Sequence, residues 1–184
     1  MSPPTASRTS LRSILRRFRR NRGGSTAVEF ALVAPVFFAL LFAILETALM
    51  FFADQVLETV TQNAARTILT GQAQAAGYSG ADFLQNVVCP VGSLARVIFT
   101  CTNISIDVQS YPAFSNISIN SQIDASGHFV PPTNFVTGGP SQIVVVRMFY
   151  QWPLFVTGFG YNMSNLGNGN RLLTATAAFQ NEPY

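Results

Sequence analysis

The chain has 184 residues and a formal charge of +3, from eleven basic residues, all arginine, and eight acids. Charged residues make up 10% and mean hydropathy is +0.29, against about 25% charged residues in an ordinary soluble domain, which argues against a cytosolic enzyme. The 48% hydrophobic content argues against a disordered chain. Two cysteines exclude a disulfide-dense miniprotein. The charge is unevenly spread. Seven arginines (Arg8, Arg12, Arg16, Arg17, Arg19, Arg20 and Arg22) fall in the first 22 residues, where there is no acid. From Gly23 onward, four arginines face eight acids, a balance of −4.

Residues 1–22, with Pro3, Pro4 and several serines, read as a flexible cationic arm ended by Gly23-Gly24. An apolar run follows. Phe30 to Ala53 is 24 residues with Glu46 as its one charge. At about 1.5 Å per residue, a helix of this length spans the roughly 30 Å of a hydrocarbon core. A cleavable secretory signal has a shorter apolar region followed by a small-x-small cleavage site. Here Asp54-Gln55 follows directly, so a retained membrane helix is expected over about 30–53. No second basic cluster balances the arm. The positive-inside rule therefore places it in the cytoplasm, with Arg16, Arg17, Arg19, Arg20 and Arg22 as the topology signal, and residues 54–184 outside. A nucleic-acid tail is the competing reading. The arm lacks interleaved aromatics beyond Phe18, and topology explains it more simply.

The helix is expected to continue past the membrane. Val56, Val60, Ala64 and Ile68, with Leu57 and Leu69 beside them, form a stripe at three- and four-residue spacing. Asp54, Glu58, Gln62 and Arg66 occupy another face, where Glu58 can pair with Gln62 or Arg66. Gly71 is the expected stop. The prediction is one helix from Ser25 to Thr70, running through Pro35, which membrane helices tolerate.

The head of this helix reads Gly23-Gly24-Ser25-Thr26-Ala27-Val28-Glu29-Phe30. An unpaired glutamate deep in lipid costs several kcal/mol. Near the interface Glu29 could stay solvated or favour the positive end of the helix dipole. The neighbours offer a second reading. Arginines, a glycine, a small residue, a glutamate four residues on and a long apolar helix resemble a class III signal peptide. Such leaders are cut after the glycine by a prepilin peptidase on the cytoplasmic face, and the helix stays in the mature protein. Cleavage after Gly24 makes Ser25 the first residue and Glu29 the fifth, the glutamate position of the type IV pilin superfamily. That resemblance implies that Glu29 of one subunit neutralises the Ser25 amine of a neighbour, which is charged at neutral pH, and so sets axial register.

Ala27-Val28-Glu29-Phe30-Ala31-Leu32-Val33-Ala34-Pro35, then Phe42-Ala43-Ile44-Leu45-Glu46 and Gln62-Asn63-Ala64-Ala65-Arg66, resemble TadE-like proteins of tight-adherence (Flp) pilus systems. The likeness is strong over 16–71, clear over 143–184 and weak between. Flp-type sequences often carry tyrosine after the glutamate, where this chain has Phe30. Major Flp pilins have little beyond the helix. Residues 71–184 are a 114-residue remainder, so the resemblance implies a minor pseudopilin. It implies a structural role in pilus assembly at the bacterial inner membrane and no enzymatic activity. The implied partners are the prepilin peptidase, other pilins and pseudopilins, inner-membrane assembly proteins and lipid, with no nucleic acid. Glu46 has two readings: an interfacial carboxylate, or a buried contact to another pilus-assembly helix. An unprocessed single-span protein whose outer domain binds a ligand or partner is the alternative function. A membrane-anchored enzyme is a weaker one.

Residues 71–80 read as a linker. Ser79-Gly80-Ala81-Asp82 resembles a capping box and predicts a short helix over about 80–88, ended by Pro90. Patterning then turns to period two. Ile104, Ile106 and Val108 mark one strand face, Ile117 and Ile119 a short strand piece, Ile143–Trp152 the strongest strand and Leu172–Phe179 the last. The fold class is α+β: a long N-terminal transmembrane and amphipathic helix packed on a small antiparallel sheet of three or four strands, with one short extra helix. The organisation is a basic leader at 1–24, the long helix at 25–70 and an exported domain at 71–184. Cys89 and Cys101, in an oxidising compartment, are expected to form a disulfide. The alternative is a metal or redox pair, for which one distant histidine, His128, is poor support. No cofactor or metal motif is present. Phe149, Tyr150, Trp152 and Phe155 are expected to pack in the core, with a partner-binding patch as the alternative.

Overall fold

A computed structural model describes residues 24–156 and 161–184. The arginines of the arm, including Arg16, Arg17, Arg19, Arg20 and Arg22, lie outside the described residues. The chain divides into two compact units between Ile44 and Leu45. Helix α1 (Ser25–Leu69) supplies residues to both and runs through Pro35. Its end comes one residue before the expected Thr70. Gly71 takes φ 74° and donates to the Ile68 carbonyl at 3.0 Å. Only glycine fits there, because a Cβ would lie 2.7 Å from the Tyr184 ring.

Within the first unit α1 is bare. Large apolar side chains from Val28 through Ile44 stand exposed on every face. α1 is long and apolar enough to cross a membrane.

The second unit is built around the rest of α1. Met50, Ala53, Val56, Leu57, Ala64, Ala65 and Ile68 are buried, and Val60 packs against them. The expected stripe is therefore the buried one. Thr61 is also fully buried, and its hydroxyl donates to the Leu57 carbonyl at 2.8 Å. On the outer face Gln62 donates to Glu58 at 2.9 Å.

Strands β1 (Ser105–Tyr111), β2 (Ile143–Trp152) and β3 (Arg171–Gln180) form one antiparallel sheet in the order β1-β2-β3. β2 is central and reads as a continuous apolar run because both of its faces are covered. Val144, Val146, Met148 and Tyr150 join the helix-side core with Val108, Ala175 and Ala177. Phe149 faces the other way and packs with Leu166, Leu172, Ile123 and Phe129. The loop between β1 and β2 thus lids the second face.

Three features differ from expectation. The linker contains a single helical turn, α2 (Gln72–Ala75). The capping box at Ser79 forms and starts α3 (Gly80–Phe83), which continues as a π-turn over Leu84–Val88. A further short helix, α4 (Leu94–Ile98), follows. So three short helices occur where one is expected. Ile117 and Ile119 form no strand. The neighbouring edge of β1 is taken instead by residues 134–136, through Val108 N–H to the Asn134 carbonyl at 3.0 Å and Val136 N–H to the Val108 carbonyl at 2.8 Å. Phe155 leaves the core. Phe149 and Tyr150 are buried and Trp152 partly so, but Phe155 is 83% exposed.

Candidate functional site

The first candidate is the head of α1. A Cβ built on Gly24 meets no atom within 4 Å. Nothing in the described chain demands glycine there. Glu29 is exposed and makes no hydrogen bond or ion pair among the described residues. Around it Val28, Phe30, Leu32, Val33, Val36 and Phe37 are each more than half exposed. Burying one such side chain is worth about 1.5–3 kcal/mol, so a run of them in water would be strongly unfavourable. This surface calls for lipid or other helices.

Glu46 behaves differently. The residue is 8% exposed. It accepts the backbone N–H of Phe155, and that of Val156 at 3.0 and 3.2 Å. One residue on, the Thr47 hydroxyl meets the Tyr161 hydroxyl. The chain after β2 therefore returns to α1 and caps its one mid-run acid. The sequence offers no local sign of this, because the donors are backbone groups more than a hundred residues away.

Cys89 and Cys101 form a disulfide with Cα atoms 6.3 Å apart. The bond ties the π-turn to the approach to β1. Phe99, between the two cysteines, packs on Tyr150 and Trp152 at centroid distances of 4.8 and 6.4 Å.

Sequence reasoning misses the most buried charges. Asp107 and Arg147 oppose each other in the β1–β2 register, on the face away from α1. Arg147 donates through Nε at 3.0 Å and Nη2 at 2.5 Å to Asp107 Oδ2. Asn134 donates to Asp107 Oδ1 at 3.1 Å, and Gln109 reaches both carboxylate oxygens. Arg147 Nη1 donates to the Asn120 carbonyl at 2.9 Å. The pair is fully satisfied, with no open side for a ligand, and serves to fix the lid loop on the sheet. An arginine inside Val144-Val145-Val146-Arg147-Met148-Phe149 is the one signal that points to it.

The remaining chemistry is sparse. His128 lies 71% exposed in a turn, its Nδ1 3.6 Å from Asp124. The His128 backbone N–H, and more weakly that of Ser126, holds the Asp124 carboxyl below its ordinary range. An apolar groove of about 400 Å³ runs between α1 and the 87–95 segment, lined by Phe52, Val56, Val60, Val87 and Leu94, with no titratable residue in its wall. No group of three or more potential metal ligands occurs among the described residues.

Comparison with known families matches residues 24–66 to the family described as TadE-like protein. The chain carries a TadE-like helix. The match begins at Gly24 and ends four residues before Thr70, so it covers α1 and not the sheet. The likeness read at 143–184 lies outside it. No curated protein and no solved structure matches the chain. TadE-like proteins are a structural pilus family, and the likeness to them extends over this helix alone. This long apolar helix, the one such helix among the described residues, fits a single-pass membrane protein.

Proposed function

We propose that this TadE-like chain is a minor pseudopilin of a Flp-type pilus, cleaved after Gly24 by a prepilin peptidase. The observation that carries the reading is the coincidence, at one helix head, of three features. The family match starts at Gly24. Among the described residues nothing requires a glycine at Gly24. Glu29 lies exposed on an apolar helix with no partner among the described residues.

Each feature has a physical counterpart in the mechanism. A glycine that its own chain does not require is one that a peptidase's site can require. Removing residues 1–24 takes away seven arginines and no acid, so the formal side-chain charge falls from +3 to −4. A new α-amine at Ser25 supplies the cation. A carboxylate among packed helices needs such a partner, since a buried ion that loses its counterpart is strongly destabilising. Glu29 of one subunit meets the Ser25 amine of the next, and the exposed apolar faces close on one another or on lipid.

In this reading the lipid-crossing stretch is residues 26–45, ending earlier than the expected 30–53, because Glu46, Met50 and Ala53 are buried. Twenty helical residues rise about 30 Å, the thickness of a hydrocarbon core. The arginine arm lies in the cytoplasm and the α+β domain outside it, where the disulfide is stable. The organisation is a leader at 1–24, a helix at 25–70 and an exported domain at 71–184.

N-terminal sequencing of protein extracted from membranes tests this. A first residue at Ser25, and retention of the arm in Gly24→Ala, are the expected results. An intact arm on the wild-type chain overturns processing and leaves a single-span protein with an outer domain.

A further inference from the structure

We infer that the α+β domain rests on the outer lipid surface through the loop Pro153–Val156, with Phe155 immersed in the interfacial layer and Glu46 holding the loop at that level. This rests on the proposed span at 26–45.

Pro153 ends β2, and the chain turns back to α1. Glu46 takes the backbone N–H groups of Phe155 and Val156, so the loop is fixed at a defined residue of the helix. With its backbone held, Phe155 projects outward at 83% exposure. On the helix at the same level, Leu45 and Leu49 are 50% and 60% exposed. The apolar loop tip thus lies level with Leu45 and Leu49. The aromatic groups at this end agree. Tyr161 meets Thr47, and Trp152 lies three residues before Phe155, half-covered. Tyrosine and tryptophan favour the headgroup layer, with apolar rings turned to the lipid and polar edges to water. A carboxylate at this depth is tolerated only when paired, and the two backbone donors supply the pairing.

The far end of the domain gives a control. Tyr111 pairs with Ile143, which pairs with Gln180, and Glu182 N–H donates to the Leu69 carbonyl. Leu69 is 23 residues beyond Glu46, about 34 Å along the helix. Phe114, just past Tyr111, is 60% exposed there. It is apolar and accessible, yet out of reach of the bilayer.

The test uses the full chain, with Trp152→Phe as the parent, in phosphatidylcholine vesicles carrying bromines at shallow or deep acyl positions. Single indoles are introduced by Phe155→Trp, Phe114→Trp and Val36→Trp. Phe155→Trp is expected to be quenched most by shallow bromines and Val36→Trp by deep ones. Phe114→Trp is expected to keep its full emission, and near-UV circular dichroism of each variant reports that the domain is folded. Adding Glu46→Ala to Phe155→Trp is expected to remove most of the quenching. Quenching at Phe155→Trp no greater than at Phe114→Trp, with Val36→Trp still quenched, overturns the inference and leaves the span standing. Loss of quenching at Val36→Trp as well overturns the span. Emission from Phe155→Trp that ignores bromine but shifts to the blue with the protein-to-lipid ratio means that a second copy covers the loop, and this also overturns the inference. Full quenching after Glu46→Ala removes Glu46 from the account.

Discussion

The two stretches of α1 carry similar apolar side chains in opposite circumstances. From Val28 to Ile44 the large apolar residues are exposed, while Val56, Leu57, Ala64 and Ile68 are buried by the sheet and short helices. The acids divide in the same way. Glu29 has no partner among the described residues, whereas Glu46 is buried against the backbone of Phe155 and Val156. One helix thus holds a stretch covered by its own chain and a stretch left uncovered among the described residues. Changes in the first should be felt as stability, and changes in the second as assembly.

The sharpest test of the self-completed region is Asp107→Ala. It strands the Arg147 guanidinium, which is 5% exposed, and is expected to cost about 3–5 kcal/mol, read as the midpoint shift in urea unfolding of the detergent-solubilised protein. Next comes Cys89→Ser with Cys101→Ser. Loss of a short closed loop is expected to lower stability by about 3 kcal/mol in the chain-entropy account, measured on the same transition. The wild type under reducing conditions should reproduce it.

Smaller still is Asp82→Asn at the capping box. The Ser79 hydroxyl, and then its backbone N–H, hold the Asp82 carboxyl below its ordinary range. A carboxyl depressed in the fold contributes in full above its unfolded pKa, and the contribution disappears as pH falls through the folded value. The deficit of Asp82→Asn relative to wild type should therefore be visible at neutral pH and close on acidification. A deficit that persists in acid would assign the effect to packing instead. The smallest expected change in stability is for Glu29→Gln, which should leave the unfolding transition where it is and lower co-purification with pilus components. A shifted transition would break the division between the two stretches.

What could be read in advance follows from how local each signal is. The helix, its buried stripe, the capping box and the central strand are set by spacings of two to four residues, and all are found. The disulfide needed only two cysteines and a compartment. Ile117 and Ile119 misled because alternation over two residues fits an extended loop as well as a strand, and a bridge from residues 134–136 had claimed the edge of β1. Phe155 misled because Pro153 breaks the strand before it, so the alternation of β2 does not set its direction. Asp107 with Arg147, and Glu46 with the 155–156 backbone, join groups 40 and about 110 residues apart. No local pattern encodes such pairings. At the head of α1 the reverse holds: the motif is readable, and Glu29 has no partner among the described residues.

The topology of the sheet also bears on timing. β2 waits for β3 on one side, and the core joins Met50 on α1 to Ala177 on β3. Contacts that distant in sequence slow folding, because loop closure must precede their reward. The core cannot close until residues 171–180 have arrived. The fold of the second unit is thus withheld until strands far apart in the sequence are all present.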